Sequence, residues 1–497
     1  MAHSNHRQEK PLGSAVPGGI LTGILLVIMV VLDVLLVRSE LLPMKYLAPG
    51  MVLLLILVML LGVMTHWTGR TGRFAFGTVV SVLIGVVMVY GIVALYMLTN
   101  TLSSITTVTT EVSSVGVYVL TEDSAETLND LEGDTFGILP ELDRDSTDGA
   151  IEQLSEDLDT EIATAEYDSL LLLVEGLYNQ ECRAILLNSA YLDVIAEIDG
   201  YTDVEDRIRE VSALEVEVVV EEPDTQGTES EVSSASDTAF TMYISGIDSR
   251  NGLKAKSRSD VNILATVNTE THQILLVSTP RDYYVPLSIS NGAKDKLTHA
   301  GIYGVSVSMD TLAMLYGVDV DYYFRVSFEG FEEIVDALGG VSVYSEYAFT
   351  STHGGYTFVE GYNYVNGAQA LSFARERYAF ASGDRQRGKN QMALIQAMIK
   401  KALSPDILVK YASILSAVEG NFETSLSYDL IADLVSDQLS TGADWEIISY
   451  SVDGSNGSAV PYSMSTTAYV MIPDEETVAT ASELMQAVLD GEVISQP

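Results

Sequence analysis

Cysteine is nearly absent from this chain: Cys182 is the only one in 497 residues, so no intrachain disulfide can form. Its ordinary place would be that of a small buried apolar thiol. Positive charge is scarce as well. With 26 Lys+Arg against 69 Asp+Glu, the formal net charge is −43. That excludes nucleic acid as the general partner, because a nucleic-acid binder needs a net basic face to displace counterions. The few cations are also unevenly placed. Sixteen of the 26 lie between Arg250 and Lys410, none follows Lys410, and none occurs from Phe74 to Asp143.

What is plentiful is apolar sequence near the N-terminus. Three runs, about Ile20 to Val37, Leu47 to Met64 and Phe74 to Leu98, each approach the roughly 20 residues that cross ~30 Å of hydrocarbon as a helix. The first lacks a small-residue cleavage site and leads directly into further spans, which makes it an uncleaved anchor. Asp33 falls inside it and would cost roughly 2.5–3.5 kcal/mol at mid-bilayer, so it is expected to snorkel to the outer end. Arg7, Lys10, Arg70 and Arg73 flank one side of the spans; Arg38 and Lys45 flank the other. The positive-inside rule then predicts a multi-pass cell-membrane protein with a cytoplasmic N-terminus and everything after about residue 98 outside.

Beyond the spans the pattern predicts two α/β units. In residues 111–220, strands are expected at Val115–Leu120, Phe136–Leu139, Ala184–Leu187 and Leu214–Val220. Helices are expected at Gly149–Leu158, Tyr167–Tyr178 and Tyr191–Ile198. Phe136–Pro140 before an acidic helix resembles a solute-binding lobe, though no ligand constellation accompanies it; a spacer or partner-docking module is the other reading. Residues 221–238 are acidic and almost free of apolar residues, which predicts a flexible linker. The second unit, 239–497, opens with strands at Phe240–Gly246, Val261–Val267 and Gln273–Ser278. Helices follow at Phe328–Leu338, stopped by Gly339-Gly340, and at Lys389–Leu403. The expected architecture is a mixed sheet covered by helices.

The chemistry is concentrated in four short stretches of that unit. Asp248 and Arg250 end one strand, Arg258 and Asp260 begin the next, and Arg281 and Asp282 end the third. Arg375-Glu376-Arg377 and Asp384 to Gln391 come a hundred residues later. Charges bunched at strand ends face one edge of a sheet, where α/β clefts form. A helix starting at Asn366 should stop near Arg375, and extended chain beyond it puts Arg375 and Arg377 on one face with Glu376 opposite. Paired guanidiniums with no carboxylate between them call for an anion, and the planar fork of arginine suits phosphate. Asp248 and Asp260 could hold the Mg²⁺ that accompanies a diphosphate. The bland alternative is that they pair with Arg250 and Arg258 as surface ion pairs worth ~0–1 kcal/mol.

Taken in order, GIDSR, RSD, STPRD, KDKLTHA, DALGGV and ARERYAFASGDRQRGKNQ resemble the LytR-CpsA-Psr family of cell-wall glycopolymer ligases. The three spans and the extra domain resemble its capsule-attachment members. The resemblance implies that Asp248 and Asp260 hold Mg²⁺ against the diphosphate of a polyprenyl-linked glycan. It implies that Arg258, Arg281, Arg375, Arg377 and Arg387 line the diphosphate pocket, with Lys296 and Gln391 at its edge. The segments Val305–Leu315, Phe328–Leu338 and Met392–Ile399 would sheath the isoprenoid. The implied partners are polyprenyl-diphosphate-linked glycan, peptidoglycan and capsule-assembly proteins. The implied reaction moves the glycan 1-phosphate, capsular or teichoic, to a peptidoglycan hydroxyl and leaves polyprenyl monophosphate. Asp282 and Asp384 are candidate proton acceptors, while His299 is expected only to satisfy a local hydrogen bond. Two other readings keep the lipid but drop the chemistry: a membrane sensor of polyprenyl lipid, and a scaffold that presents it to another ligase.

Overall fold

The structure, a computed structural model, describes residues 15–496 apart from 40–41, 67–70, 107–109, 220–237, 248–252, 254, 382, 405–406, 408–413, 415–416 and 465. The chain divides into two compact units. The first contains helices α1 (Ala15–Arg38), α2 (Met44–His66) and α3 (Thr71–Thr106). All three are long and apolar enough to cross a membrane, over Gly18–Arg38, Met44–His66 and Arg73–Met97. Leu25, Met29, Val58 and Met88 pack between them, while Val27, Leu53 and Val87 are exposed. A helix apolar on all sides is what a bilayer selects, and the protein is membrane-anchored. Asp33, in α1, is 9% exposed. Residues 403–417 and 427–443 belong to the same unit; there the Tyr428 hydroxyl, on the helix Tyr428–Thr441, donates to the Ser39 carbonyl at 2.8 Å.

The second unit carries two large sheets. One is built from β1 (Thr110–Leu120), β2 (Thr135–Ile138), β3 (Ala163–Glu166), β4 (Ala184–Asn188) and β5 (Ile208–Val219), in the order β3-β2-β4-β1-β5. Helices α4 (Arg144–Leu158), α5 (Leu170–Tyr178), α6 (Ala190–Ala196) and α7 (Val204–Arg207) cover it. Val117, Phe136, Leu154, Leu173 and Ile185 are almost completely buried. Cys182 is buried too, in the same cluster as Leu173 and Ile185. The acidic linker expected at 221–238 lies, save Thr238, outside the described residues.

The other sheet is six-stranded and mixed. Its strands are β6 (Ala239–Ile247), β7 (Ser259–Asn268), β8 (Gln273–Ser278), β11 (Tyr322–Ser327), β16 (Phe422–Thr424) and β17 (Glu446–Ser451), in the order β16-β11-β6-β7-β8-β17. Between β8 and β11 come the ladder β9 (Tyr284–Pro286) with β10 (Lys294–Lys296), and helices α8 (Leu297–Tyr303) and α9 (Val305–Tyr316). Between β11 and β16 come α10 (Phe328–Ala337), β12 (Val341–Ser345), the small hairpin of β13 (Phe349–Thr350) and β14 (Thr357–Phe358), β15 (Gly361–Val365), α11 (Gly367–Arg375) and α12 (Asp384–Ala402). The hairpin expected at Asn268–Thr271 is present, with Asn268 opposite Gln273. α10 stops at Gly339 and Gly340, both at positive φ (77° and 84°), a conformation that glycine adopts without strain. Val305, Leu312 and Tyr316 of α9 pack into the main core with Tyr243, Leu264, Leu275 and Val277.

Pairing fixes where chemistry can sit. β11 runs parallel to β6 and β17 parallel to β8, while β7 runs antiparallel between β6 and β8. The carboxyl ends of β6, β8, β11 and β17 and the amino end of β7 therefore share one edge of the sheet. That edge is where ligands bind in open α/β sheets.

Candidate functional site

A cleft of about 180 Å³ opens at this edge, lined by Met471 and by four further segments. Asp260 and Asn262 come from the start of β7, Ser278 to Arg281 follow β8, Ser451 to Asp453 follow β17, and Asp384, Arg385, Arg387 and Gln391 come from α12. The floor is braced by buried hydrogen bonds. The Tyr243 hydroxyl donates to Asn262 Oδ1 at 2.7 Å, and the Thr279 and Tyr316 hydroxyls lie 2.7 Å apart. A satisfied polar network under a cleft keeps its wall rigid.

Local backbone geometry brings the cations together. Pro280 to Tyr283 forms a turn closed by Tyr283 N–H donating to the Pro280 carbonyl at 3.1 Å, and Thr298 N–H donates to the Arg281 carbonyl at 2.9 Å. With Lys296 opposite Tyr284 in the β9–β10 ladder, Lys296 Nζ comes within 3.7 Å of Asp282. Arg281 Nη1 donates to Asp260 Oδ1 at 2.6 Å, and its Nε lies 3.7 Å from Asp282. Gly301, in α8, faces the backbone around Arg258: a Cβ there would lie 2.5 Å from the Ser257 carbonyl oxygen and 3.0 Å from Ser259 N. The absence of a side chain is what permits that approach.

Arg258, Arg281 and Lys296 converge on one carboxylate that sequence reasoning did not single out. Glu197, at the C-terminal end of α6 in the five-stranded domain, accepts from Arg258 Nη1 at 2.6 Å, Arg281 Nη2 at 3.0 Å and Lys296 Nζ at 2.7 Å. Asp193, one turn earlier, meets Arg258 Nη2 at 3.0 Å. Burial alone would raise the Glu197 pKa, but Lys296, Arg258 and Arg281 outweigh it and hold the pKa down at about 2. Asp282 is pushed the other way: burial raises its pKa, against the pull of Arg281 and Lys296.

Other expected residues fall as follows. Asp248, with Arg250, lies outside the described residues. Asp260 pairs with Arg281 rather than with its sequence neighbour Arg258. Arg387 pairs with Asp384, one turn away on α12. Arg385 pairs with Asp453 at 2.8 Å and is half exposed. The cap at Asn366 is present as a full capping box with Gln369, and α11 stops at Arg375. Glu376 is then fully buried, accepting from Thr352 N and Oγ1, Tyr378 N and Ala379 N. Burial raises its pKa and those hydrogen bonds more than reverse the effect, so it lies below its usual value.

Arg375 stacks on Phe328, 4.7 Å from the ring centroid, and the exposed Arg377 stacks at the same distance on Tyr378. Neither belongs to the cleft lining. Gln391, which does line it, donates to the Ala374 carbonyl at 3.4 Å and so joins the cleft to the end of α11. His299 Nδ1 lies 2.7 Å from Asp295 Oδ1 and 2.8 Å from the Ser463 hydroxyl, fully buried. That is the local structural role expected of it.

Among the described residues, no group of three or more His, Cys, Asp or Glu side chains is arranged to hold a metal. The donor set suits an ion that needs few protein ligands. Mg²⁺ takes one or two carboxylates and fills its octahedron with phosphate oxygens and water, and Asp260 offers such a carboxylate on the cleft wall.

A family model described as the LytR_cpsA_psr family matches residues 211–486. The polyisoprenyl-teichoic acid–peptidoglycan teichoic acid transferase TagU of Bacillus subtilis is 36% identical over 208 residues, which are 42% of this chain and 66% of that protein. The protein of the same name from Halalkalibacterium halodurans is 32% identical over 247 residues, 49% of this chain and 78% of that one. The crystal structure of B. subtilis TagU aligns over 52% of this chain and 100% of its own, at 28% identity with a TM-score of 0.41.

Proposed function

The chain belongs to the LytR_cpsA_psr family, and from that premise we propose that it transfers a glycopolymer from a polyprenyl diphosphate carrier to peptidoglycan. One observation carries the reading. Arg281, Arg387, Asp260 and Gln391 share the lining of one cleft at the carboxyl ends of parallel strands, and Glu197 joins Arg281 to Arg258 and Lys296. An acidic chain that gathers cations in one place is built for an anion, and a diphosphate is the anion this constellation suits.

The peptidoglycan hydroxyl oxygen attacks the phosphorus nearer the glycan, and the bond from that phosphorus to the oxygen bridging to the lipid-side phosphate breaks. The hydroxyl proton passes to a carboxylate, Asp282 or Asp384, of which Asp384 lines the cleft. Polyprenyl monophosphate departs. Such a transfer is catalysed by positioning and charge neutralisation. Arg281 and Arg387 supply both, with Arg258 and Lys296 behind them. Arg375 and Arg377 would complete the set from the end of α11: stacking on an aromatic ring occupies the face of each guanidinium, and Arg375 keeps its N–H edge for a phosphate oxygen while Arg377 Nη2 donates to the Tyr378 hydroxyl. Asp260, with Asp248, would hold Mg²⁺, whose charge would offset that of the diphosphate.

The three spans and the extra domain favour a capsular polymer, and the names of the relatives favour a teichoic acid; the diphosphate is common to both. The charge bias of the loops favours an arrangement with both sheets outside the cell. A sensor or scaffold would bind the same lipid without turning it over. The test is product analysis with the full-length protein in detergent, Mg²⁺, a polyprenyl diphosphate oligosaccharide and peptidoglycan fragments. Mass spectrometry should find the oligosaccharide joined to peptidoglycan through a phosphodiester. Unchanged lipid and unmodified peptidoglycan would refute the transferase reading.

A further inference from the structure

The carboxylate between Arg258, Arg281 and Lys296 comes from the five-stranded domain, whereas the cations it binds belong to the six-stranded one. Glu197 and Asp193 are one helical turn apart on α6 and its C-terminal cap. Locally this placement is unfavourable on two counts. Like charges at i and i+4 repel, and an anion at a helix C-terminus opposes the helix dipole. Both penalties are offset only by the cations across the interface. Positions where local preference is broken for the sake of a distant contact are where function is to be sought.

The contact also has the form of a phosphoryl group. Glu197 receives three charge-assisted hydrogen bonds, two on Oε1 and one on Oε2, all at 2.6–3.0 Å. Asp193 adds a second anionic group on Arg258. Two carboxylates side by side, bridging two guanidiniums and an ammonium, present the charge and spacing that a diphosphate would present. Arg281 stands at the junction: Nη2 meets Glu197, while Nη1 meets Asp260 on the cleft wall. Glu197 and Asp193 are 26% and 41% exposed in their side chains and Arg258 and Arg281 16% and 13%, while Lys296 is buried at 5%, so an incoming anion meets the two guanidiniums first.

We propose that Asp193 and Glu197 are an internal substitute for the diphosphate: they hold Arg258, Arg281 and Lys296 when the cleft is free of substrate and are displaced when a diphosphate binds. The five-stranded domain then acts as a competitive gate on the cleft of the six-stranded sheet. Premature binding of small phosphates is opposed, because each must first break three strong hydrogen bonds. A substrate with lipid and glycan contacts in addition to its diphosphate has the surplus affinity to do so. This inference rests on the diphosphate reading of the cleft.

Titration calorimetry of the full-length protein in detergent with inorganic pyrophosphate tests it. Glu197→Gln should bind pyrophosphate about tenfold or more tighter than wild type, the size expected when a strong competing ion pair is removed. Asp193→Asn, at the more exposed carboxylate, should tighten it about two- to threefold, and it serves if Glu197→Gln fails to fold. Equal or weaker binding by these variants, with wild-type binding abolished by Arg281→Ala, would overturn the gate and leave the diphosphate site standing. Folded wild type and Glu197→Gln that both ignore pyrophosphate would overturn the site itself.

Discussion

Carboxylates of the five-stranded domain meet arginines of the six-stranded one in two places that share their chemistry and differ in their surroundings. At the first, Glu111 of β1 meets Arg325 Nη1 at 3.1 Å, with side chains only 4% and 3% exposed. Arg325 also donates Nε to Glu423 at 3.0 Å and Nη2 to the Leu253 carbonyl, and Glu111 accepts from Val305 N–H at 3.0 Å. At the second, Glu197 meets Arg281 beside an open cleft. The first contact offers a ligand no way in, because protein surrounds the charged groups on every side. The second leaves Arg258 and Arg281 16% and 13% exposed, with Lys296 buried behind them. On the gate proposed above, burial rather than residue type separates a contact that joins two domains from one that a diphosphate displaces.

The comparison can be broken from either side. Arg325→Ala should be the most disruptive change, because it leaves Glu111 as an uncompensated buried charge at a cost of about 3–5 kcal/mol. Thermal unfolding reads it, and a loss below about 1 kcal/mol would mean that the buried contact is not architectural. Arg281→Ala should leave a folded protein yet slow transfer by roughly 10²–10³-fold, the cost of one preorganised anion-stabilising donor. A rate within threefold of wild type would remove Arg281 from the chemistry.

Acid should distinguish the exchangeable contact. The Glu197 pKa is held at about 2 in the folded protein, against 4.5 for the free group. Its contribution is therefore fully present above pH 4.5 and lost as pH falls towards 2, up to about 3 kcal/mol in all. Wild type should lose more stability than Glu197→Gln over that window, and parallel melting curves would contradict the assignment. The mildest change is Gly301→Ala. Its Cβ would push on the Ser257–Ser259 backbone at a cost of about 1–3 kcal/mol and shift Arg258. Pyrophosphate affinity should fall with stability; unchanged affinity would mean that Arg258 is not positioned by this approach.

Much of the six-stranded sheet was legible because β6 to β8 keep an apolar pattern with a polar turn at Asn268–Thr271, and the helix from Asn366 announced itself through its cap. Other features carried no such signal. β3, Ala163–Glu166, is a mostly exposed edge strand with no apolar alternation to reveal it. α12 begins at Asp384, five residues before the apolar stripe that suggested Lys389, because its first turns are polar and face the cleft. The cations were visible as a charge anomaly in an acidic chain. Glu197 was not: one carboxylate among 69 acidic residues gains meaning only when folding brings it to Lys296, 99 positions away. The stacking of Arg375 on Phe328 was equally out of reach, since it depends on how α10 and α11 pack.

The most direct test of the account is to count, in one reaction of the full-length protein, polyprenyl monophosphate released and glycan joined to peptidoglycan. The account predicts one release for each attachment, with both lost together in Arg281→Ala. Tight lipid binding without release, or release without attachment, would contradict it.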